Sequence, residues 1–171
     1  MTKSLELDFA FIIGSLLIGS CVPSGQVDAT PTPASPTSDI EEAQGVLIEY
    51  FNDLYTGEFD AAADLFGGDL EQLIDWNADI NPSDPVALFD AACSRQLQCL
   101  QVRTIVAASQ VDQNTFQFKL EFNNSDGSLF VLGPCCGATE TEMPSVSEFD
   151  CSVEKTNGGN YKVMCLPVYV P

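Results

Sequence analysis

Three groups of side chains in this 171-residue chain have types and spacings that bear on chemistry. Tyr50 and Asp53 lie three apart in "EYFNDLY", so on a helix they are neighbours on one face. A carboxyl buried beside a phenol would have a raised pKa and could serve as a general base. "DWNADINPSD", residues 75–84, spaces Asp75, Asn77, Asp79 and Asn81 as in the first half of an EF-hand loop. That loop needs Gly at its sixth position and a bidentate Glu at its twelfth, and Ile80 and Val86 stand there instead. The stretch reads as an Asn/Asp-rich connection, and no metal site is expected. Trp76 beside it reads as a core or rim residue and completes the candidate pocket set Tyr50, Asp53 and Trp76. "GPCCGATETEMP", residues 133–144, puts Cys135 next to Cys136. The pair lacks CxxC spacing and a neighbouring cation to lower a thiol pKa, so structural bonds are expected of it. The chain has no His, which removes imidazole acid-base chemistry. No residue is assigned a catalytic role, and no cofactor is expected.

Seven cysteines without His or a CxxC motif argue against zinc. Six of them, Cys93, Cys99, Cys135, Cys136, Cys151 and Cys165, lie in the body of the chain, an even number that suits a disulfide framework in an oxidising compartment. Cys151 and Cys165 flank "KTNGGNY". If Asn157-Gly158-Gly159 is a three-residue hairpin loop, Thr156 faces Asn160 and Cys151 falls opposite Cys165. Directly opposed residues are close enough for a disulfide. For the other four, a local Cys93–Cys99 bond and crossing of both to Cys135 and Cys136 remain open.

The seventh cysteine sits at a border. Phe9 to Ile18 is apolar but too short to span a bilayer, which needs about 20 such residues. A short apolar run that follows a Lys and ends in small residues reads as a secretory signal. Ile18-Gly19-Ser20-Cys21 resembles the lipobox of bacterial lipoproteins, with Ile18 where that family prefers Leu. The resemblance implies a diacylglyceryl group on the Cys21 sulfur and cleavage just before it. Two acyl chains make a stable anchor. Val22 to Ser38 carries Pro23, Pro31, Pro33 and Pro36 among Ser, Thr and Gly, the composition of an extended tether. The expected organisation is a signal peptide over 1–20, anchor and tether over 21–38, and a folded domain over 39–171. The expected location is extracytoplasmic, lipid-anchored to a bacterial cell membrane.

Charge narrows the partners. Six Lys and Arg stand against 25 Asp and Glu, a formal net charge of −19, and no basic residue falls between Lys3 and Arg95. Such a surface repels nucleic acid, whose binding needs clustered cations.

The elements that must position these residues are legible by period. Ser38-x-x-Glu41 is a capping-box pattern, and Ile40, Ala43, Leu47, Tyr50, Phe51 and Leu54 recur at helical spacing up to Gly57. Phe59 to Phe66 predicts a second helix. Asp69 with Gln72 opens a third. Asp84-Pro85 opens a fourth, whose stripe is Val86, Phe89, Cys93 and Leu97. Beyond Cys99 the texture turns to strands. Leu100 to Val111 is rich in β-branched residues, and Phe116, Phe118, Leu120 and Phe122 alternate with polar residues. Leu129 to Leu132, Val146 to Glu154 and Tyr161 to Val170 are further strands. Helices first and antiparallel strands later read as α+β.

"VLIEYFNDLYTGEFDAAADLF", residues 46–66, resembles the opening of nuclear transport factor 2-like domains. The resemblance implies N-terminal helices packed in a curved antiparallel sheet, a cone. That superfamily holds ketosteroid isomerase-like and polyketide cyclase-like enzymes beside binding modules, often extracytoplasmic lipoproteins, and related cones often dimerise through the sheet. The expectation for this chain is a membrane-tethered, non-enzymatic binding or interaction module that takes a small molecule or a peptide at the cone mouth. The alternative is a cofactor-free isomerase- or cyclase-like enzyme that uses a pocket carboxylate.

Overall fold

The computed structural model describes residues 38–169. The expected signal peptide, Cys21 and the tether before Ser38 lie outside the described residues.

Helix α1 spans Asp39–Thr56. Its start is fixed by Ser38, whose backbone N–H donates to the Glu41 carboxylate at 3.0 Å. Its end is fixed by Gly57, whose φ of 83° only glycine adopts without strain. Ala43, Leu47, Tyr50, Phe51 and Leu54 are buried on one stripe. Three shorter helices follow: α2 (Phe59–Leu65), α3 (Glu71–Trp76) and α4 (Pro85–Arg95). Asp69 sits before α3 and not inside it, accepting from the Glu71 N–H at 2.7 Å. Asp84 caps α4 by accepting from the Ala87 N–H at 3.0 Å, and Pro85 occupies the first turn, where no N–H is needed.

Four antiparallel strands form the main sheet in the order β2-β3-β4-β5, with β2 at Gln101–Gln110, β3 at Thr115–Asn123, β4 at Phe149–Lys155 and β5 at Tyr161–Val163. Strand β3 alternates as its sequence predicts: Phe116, Phe118, Leu120 and Phe122 are buried and pack with the α1 stripe in one core. The β4–β5 register pairs Val153 with Val163 and Lys155 with Tyr161, the pairing a three-residue loop demands. Gly159 takes the left-handed position in that loop at φ 83°.

Three sequence expectations are corrected. Leu97 does not extend the α4 stripe. It lies in strand β1 (Leu97–Gln98), because the Cys93–Cys99 disulfide turns the chain back at the helix end. The strand expected over Tyr161–Val170 is broken, and its far part is strand β6 (Val168–Tyr169), paired with β1 in a separate two-stranded sheet. Pro167 interrupts it, since it has no N–H to give a ladder. Leu129 to Leu132 forms no strand either. It makes only isolated bridges, Asn123 with Leu129 and Leu132 with Val146.

Candidate functional site

The three candidate pocket residues are not brought together. Tyr50 is wholly buried, its ring against Phe51, Phe66 and Phe89 at centroid distances of 5.1, 6.0 and 6.2 Å. Its hydroxyl donates to the Cys165 carbonyl at 3.3 Å. Burial pushes the phenol pKa far above its ordinary value. Such a group neither ionises nor faces a ligand; it ties α1 to the segment after β5.

Asp53 lies at the margin of the same helix, half-exposed. Partial desolvation, then the carboxylates of Glu49 and Glu58, hold its carboxyl above the ordinary range. The direction is the one a general base would need. Yet among the described residues no side-chain hydrogen bond joins Asp53 to Tyr50, and the boundary between core and solvent passes between the two residues. Trp76 ends α3 and stacks on Tyr169 of β6 at 4.8 Å, which pins the second sheet to the helices.

The residues between 75 and 84 are used internally. Asn77 is fully buried, donates to the Leu73 carbonyl at 2.9 Å and accepts from the Gln96 side chain at 3.3 Å. Asn81 accepts from the Ser83 N–H at 3.0 Å, an Asx turn. The alternation that resembles a calcium loop therefore reflects helix-end and turn chemistry.

Two disulfides are formed, Cys93–Cys99 and Cys151–Cys165. Among the described residues, Cys135 and Cys136, expected to enter disulfides, form none. The partners expected for them, Cys93 and Cys99, are consumed by their own bond, with a sequence separation of 6, between the end of α4 and the residue after β1.

Two open grooves flank α1. One, of about 590 Å³, runs between α1 and the β4–β5 hairpin and is lined by Glu42, Val46, Glu49, Asp64, Asn160 and Lys162. Its ammonium is engaged, because Lys162 Nζ donates to the Asp64 carbonyl. The other, of about 390 Å³, lies between α1 and β2 and is lined by Gln44, Ile48, Val102, Ile105, Val106 and Ala108. Ile48 is 42% and Val106 47% exposed, large apolar side chains left open to solvent. Among the described residues β2 is paired only with β3, so its outer edge is free. Two register steps, between Val102 and Thr104 and between Ile105 and Ala107, mark bulges at Arg103 and Val106. Bulges on an edge re-aim side chains and limit uncontrolled pairing. Arg103 is folded back and donates to the Asn123 side chain and the Gly127 carbonyl, each at 3.0 Å. Sequence reasoning missed this groove. The available signal was that "QVRTIVAASQ" does not alternate, as a strand with one cleanly buried face would.

No family model matches the chain, and no curated protein matches it in sequence. Among solved structures, one from Streptomyces avermitilis, described as a candidate dehydratase of the NTF2-like family, is similar over 75% of this chain and 93% of that chain, at 12% identity and a TM-score of 0.41. What stands for this chain is a mixed fold of N-terminal helices and an antiparallel sheet.

Proposed function

We propose that this chain is a membrane-tethered, extracytoplasmic lipoprotein whose α+β domain, a nuclear transport factor 2-like cone, is a non-enzymatic interaction module. Its recognition surface is the groove between α1 and the free edge of β2, and its partner is an extended protein segment that adds to that edge. The observation that carries the reading is β2 itself: ten residues long, paired on one side, with Ile48 and Val106 exposed beside it. Main-chain hydrogen bonds along an edge supply affinity, and flanking apolar pockets supply specificity. The net charge of −19 favours a neutral or basic partner. Tyr50, Phe51, Phe89, Phe116, Phe118 and Phe122 are all buried and fill the core between helices and sheet, which supports the non-enzymatic reading. Two disulfides support an oxidising compartment.

A photo-crosslinking amino acid at Val106 in intact cells tests the surface, with exposed Asp60 of α2, the helix that packs on β5 at the opposite edge of the sheet, as control. A discrete adduct from Val106, lost when Ile48→Asp is added, is the expected result. Equal labelling from both positions would refute the surface. The tether is tested separately: Cys21→Ser should move the folded domain from the membrane to the soluble fraction, and continued membrane partition would remove the anchor from the reading.

A further inference from the structure

Cys135 and Cys136 are held face to face. Their Sγ atoms lie 2.7 Å apart. Adjacent side chains on extended backbone point to opposite sides, so two neighbouring sulfurs meet only if the backbone leaves the extended conformation at one of them. It does. The Ala138 N–H donates to the Cys135 carbonyl at 2.9 Å, and the residues between, Cys136 and Gly137, have φ of 60° and 88°. Both values are positive, the pattern of a type I′ turn. Cys136 is the one non-glycine residue with positive φ among the described residues. An L residue is strained there, and such outliers persist only where the surroundings enforce them.

The surroundings are specific. Leu132 and Val146 exchange backbone hydrogen bonds of 2.8 and 2.9 Å at the base of the loop. Within it, the Thr139 N–H and hydroxyl both donate to the Glu142 carboxylate, and the Ser145 N–H and hydroxyl both donate to Glu140. The pair borders a hollow of about 400 Å³ lined by Phe130, Leu132 and Pro134. Cys136 is exposed and Cys135 half-buried.

We propose that Cys135 and Cys136 are a redox site that cycles between a dithiol and a disulfide within the pair, with small disulfides and thiols as its substrates. The exposed Cys136 sulfur, as thiolate, attacks one sulfur of a small disulfide R–S–S–R. The S–S bond breaks, and the first thiolate leaves and takes up the proton that Cys136 gave up. Cys135 then attacks the Cys136 sulfur of the mixed disulfide, and the second thiol leaves with the Cys135 proton. The pair is oxidised by two electrons, and one small disulfide becomes two thiols. The reverse consumes two thiols. Adjacent Cα atoms are about 3.8 Å apart, whereas an ordinary disulfide spans about 4.4–6.8 Å. The two structural bonds, at Cα separations of 5.5 and 5.3 Å, fit that range. The ring within the pair falls outside it, and strained, exposed disulfides are the readily reduced ones.

The test equilibrates the full chain in reduced and oxidised glutathione, quenches with acid, alkylates, and maps tryptic peptides without reduction. The peptide spanning 120–155 carries both cysteines together with Cys151. It should bear two alkyl groups at the reducing end of the series. At the oxidising end it should bear none and be lighter by two hydrogens, with Cys93–Cys99 and Cys151–Cys165 intact throughout. The pair should be half-reduced within the series, at a squared-glutathione to glutathione-disulfide ratio at least about a hundredfold below the most reducing one, at which Cys151–Cys165 still stands. In Cys135→Ser, Cys136 should accumulate the glutathione mixed disulfide, several-fold more than Cys135 does in Cys136→Ser. Two alkyl groups at every ratio, or bonds from the pair to Cys21, Cys93, Cys99 or a second chain, would overturn the proposal.

Discussion

Cys151 and Cys165 are joined across the β4–β5 hairpin with their Cα atoms 5.3 Å apart, and the Cys165 carbonyl accepts the Tyr50 hydroxyl at 3.3 Å. The bond therefore closes a hairpin and, one atom group away, anchors the centre of α1. In the chain-entropy account, closing a loop of this length is worth about 3 kcal/mol. Replacing both cysteines by Ala should lower the urea-unfolding free energy by about that amount. A loss below about 1 kcal/mol would mean the hairpin is equally ordered without it.

Tyr50 separates a structural role from a catalytic one. Tyr50→Phe keeps the ring contacts and removes one hydrogen bond, for an expected cost of about 1 kcal/mol. Tyr50→Ala empties a site packed by Phe51, Phe66 and Phe89, and should cost about 3–5 kcal/mol, as for other large aromatic truncations. Equilibrium denaturation of both variants gives the ratio. Near-equal losses would contradict the core assignment.

Two glycines should respond to the same substitution with opposite signs. Gly45 lies mid-way along α1, exposed, and a β-carbon there would meet nothing within 4 Å. Gly45→Ala should stabilise by about 0.5–1 kcal/mol through helix propensity alone. At Gly68 a β-carbon would fall 2.7 Å from the Phe66 ring and 2.9 Å from the Met164 carbonyl oxygen. Backbone cannot yield as a flexible side chain can, so Gly68→Ala should lower the melting temperature where Gly45→Ala raises it.

Acid sensitivity has an address at Asp39. Its carboxylate accepts from Lys155 Nζ at 2.8 Å and from the Tyr161 hydroxyl at 3.0 Å, joining the first turn of α1 to β4 and β5. These bonds, Lys155's first, hold its pKa below the ordinary 3.8. A carboxylate with a depressed folded-state pKa contributes stability that is complete above the unfolded-state value and is lost as pH falls through the folded one. Asp39→Asn should therefore unfold at lower urea than the parent at pH 7, and the gap should close below about pH 4. A gap that persists unchanged at pH 3 would exclude the ion pair as its cause.

Much of the fold was legible because it rests on short-range rules. The Ser38 cap, the Gly57 stop, the Asp84-Pro85 start and the β3 alternation each depend on a few consecutive residues. Even the Cys151–Cys165 bond follows from counting outward from one tight loop. Expectations failed where distant segments compete. Leu97 continues a helical stripe by spacing, yet the Cys93–Cys99 bond and the β6 partner claim it for a strand.

The sequence by itself determined the helices-then-strands order, the hairpin register and a surface hostile to polyanions, since these follow from period, turn chemistry and charge. Only the tertiary structure decided which chemical groups face anything. Tyr50 and Asp53 are neighbours on α1, but packing of the Phe66 and Phe89 rings buries one and the helix margin leaves the other at the surface. Trp76 meets Tyr169 across more than two thirds of the domain sequence. Cys135 and Cys136 are left to each other because Cys93 and Cys99 found a shorter loop to close. Burial and pairing depend on which surfaces reach one another in three dimensions, and no local pattern encodes that choice.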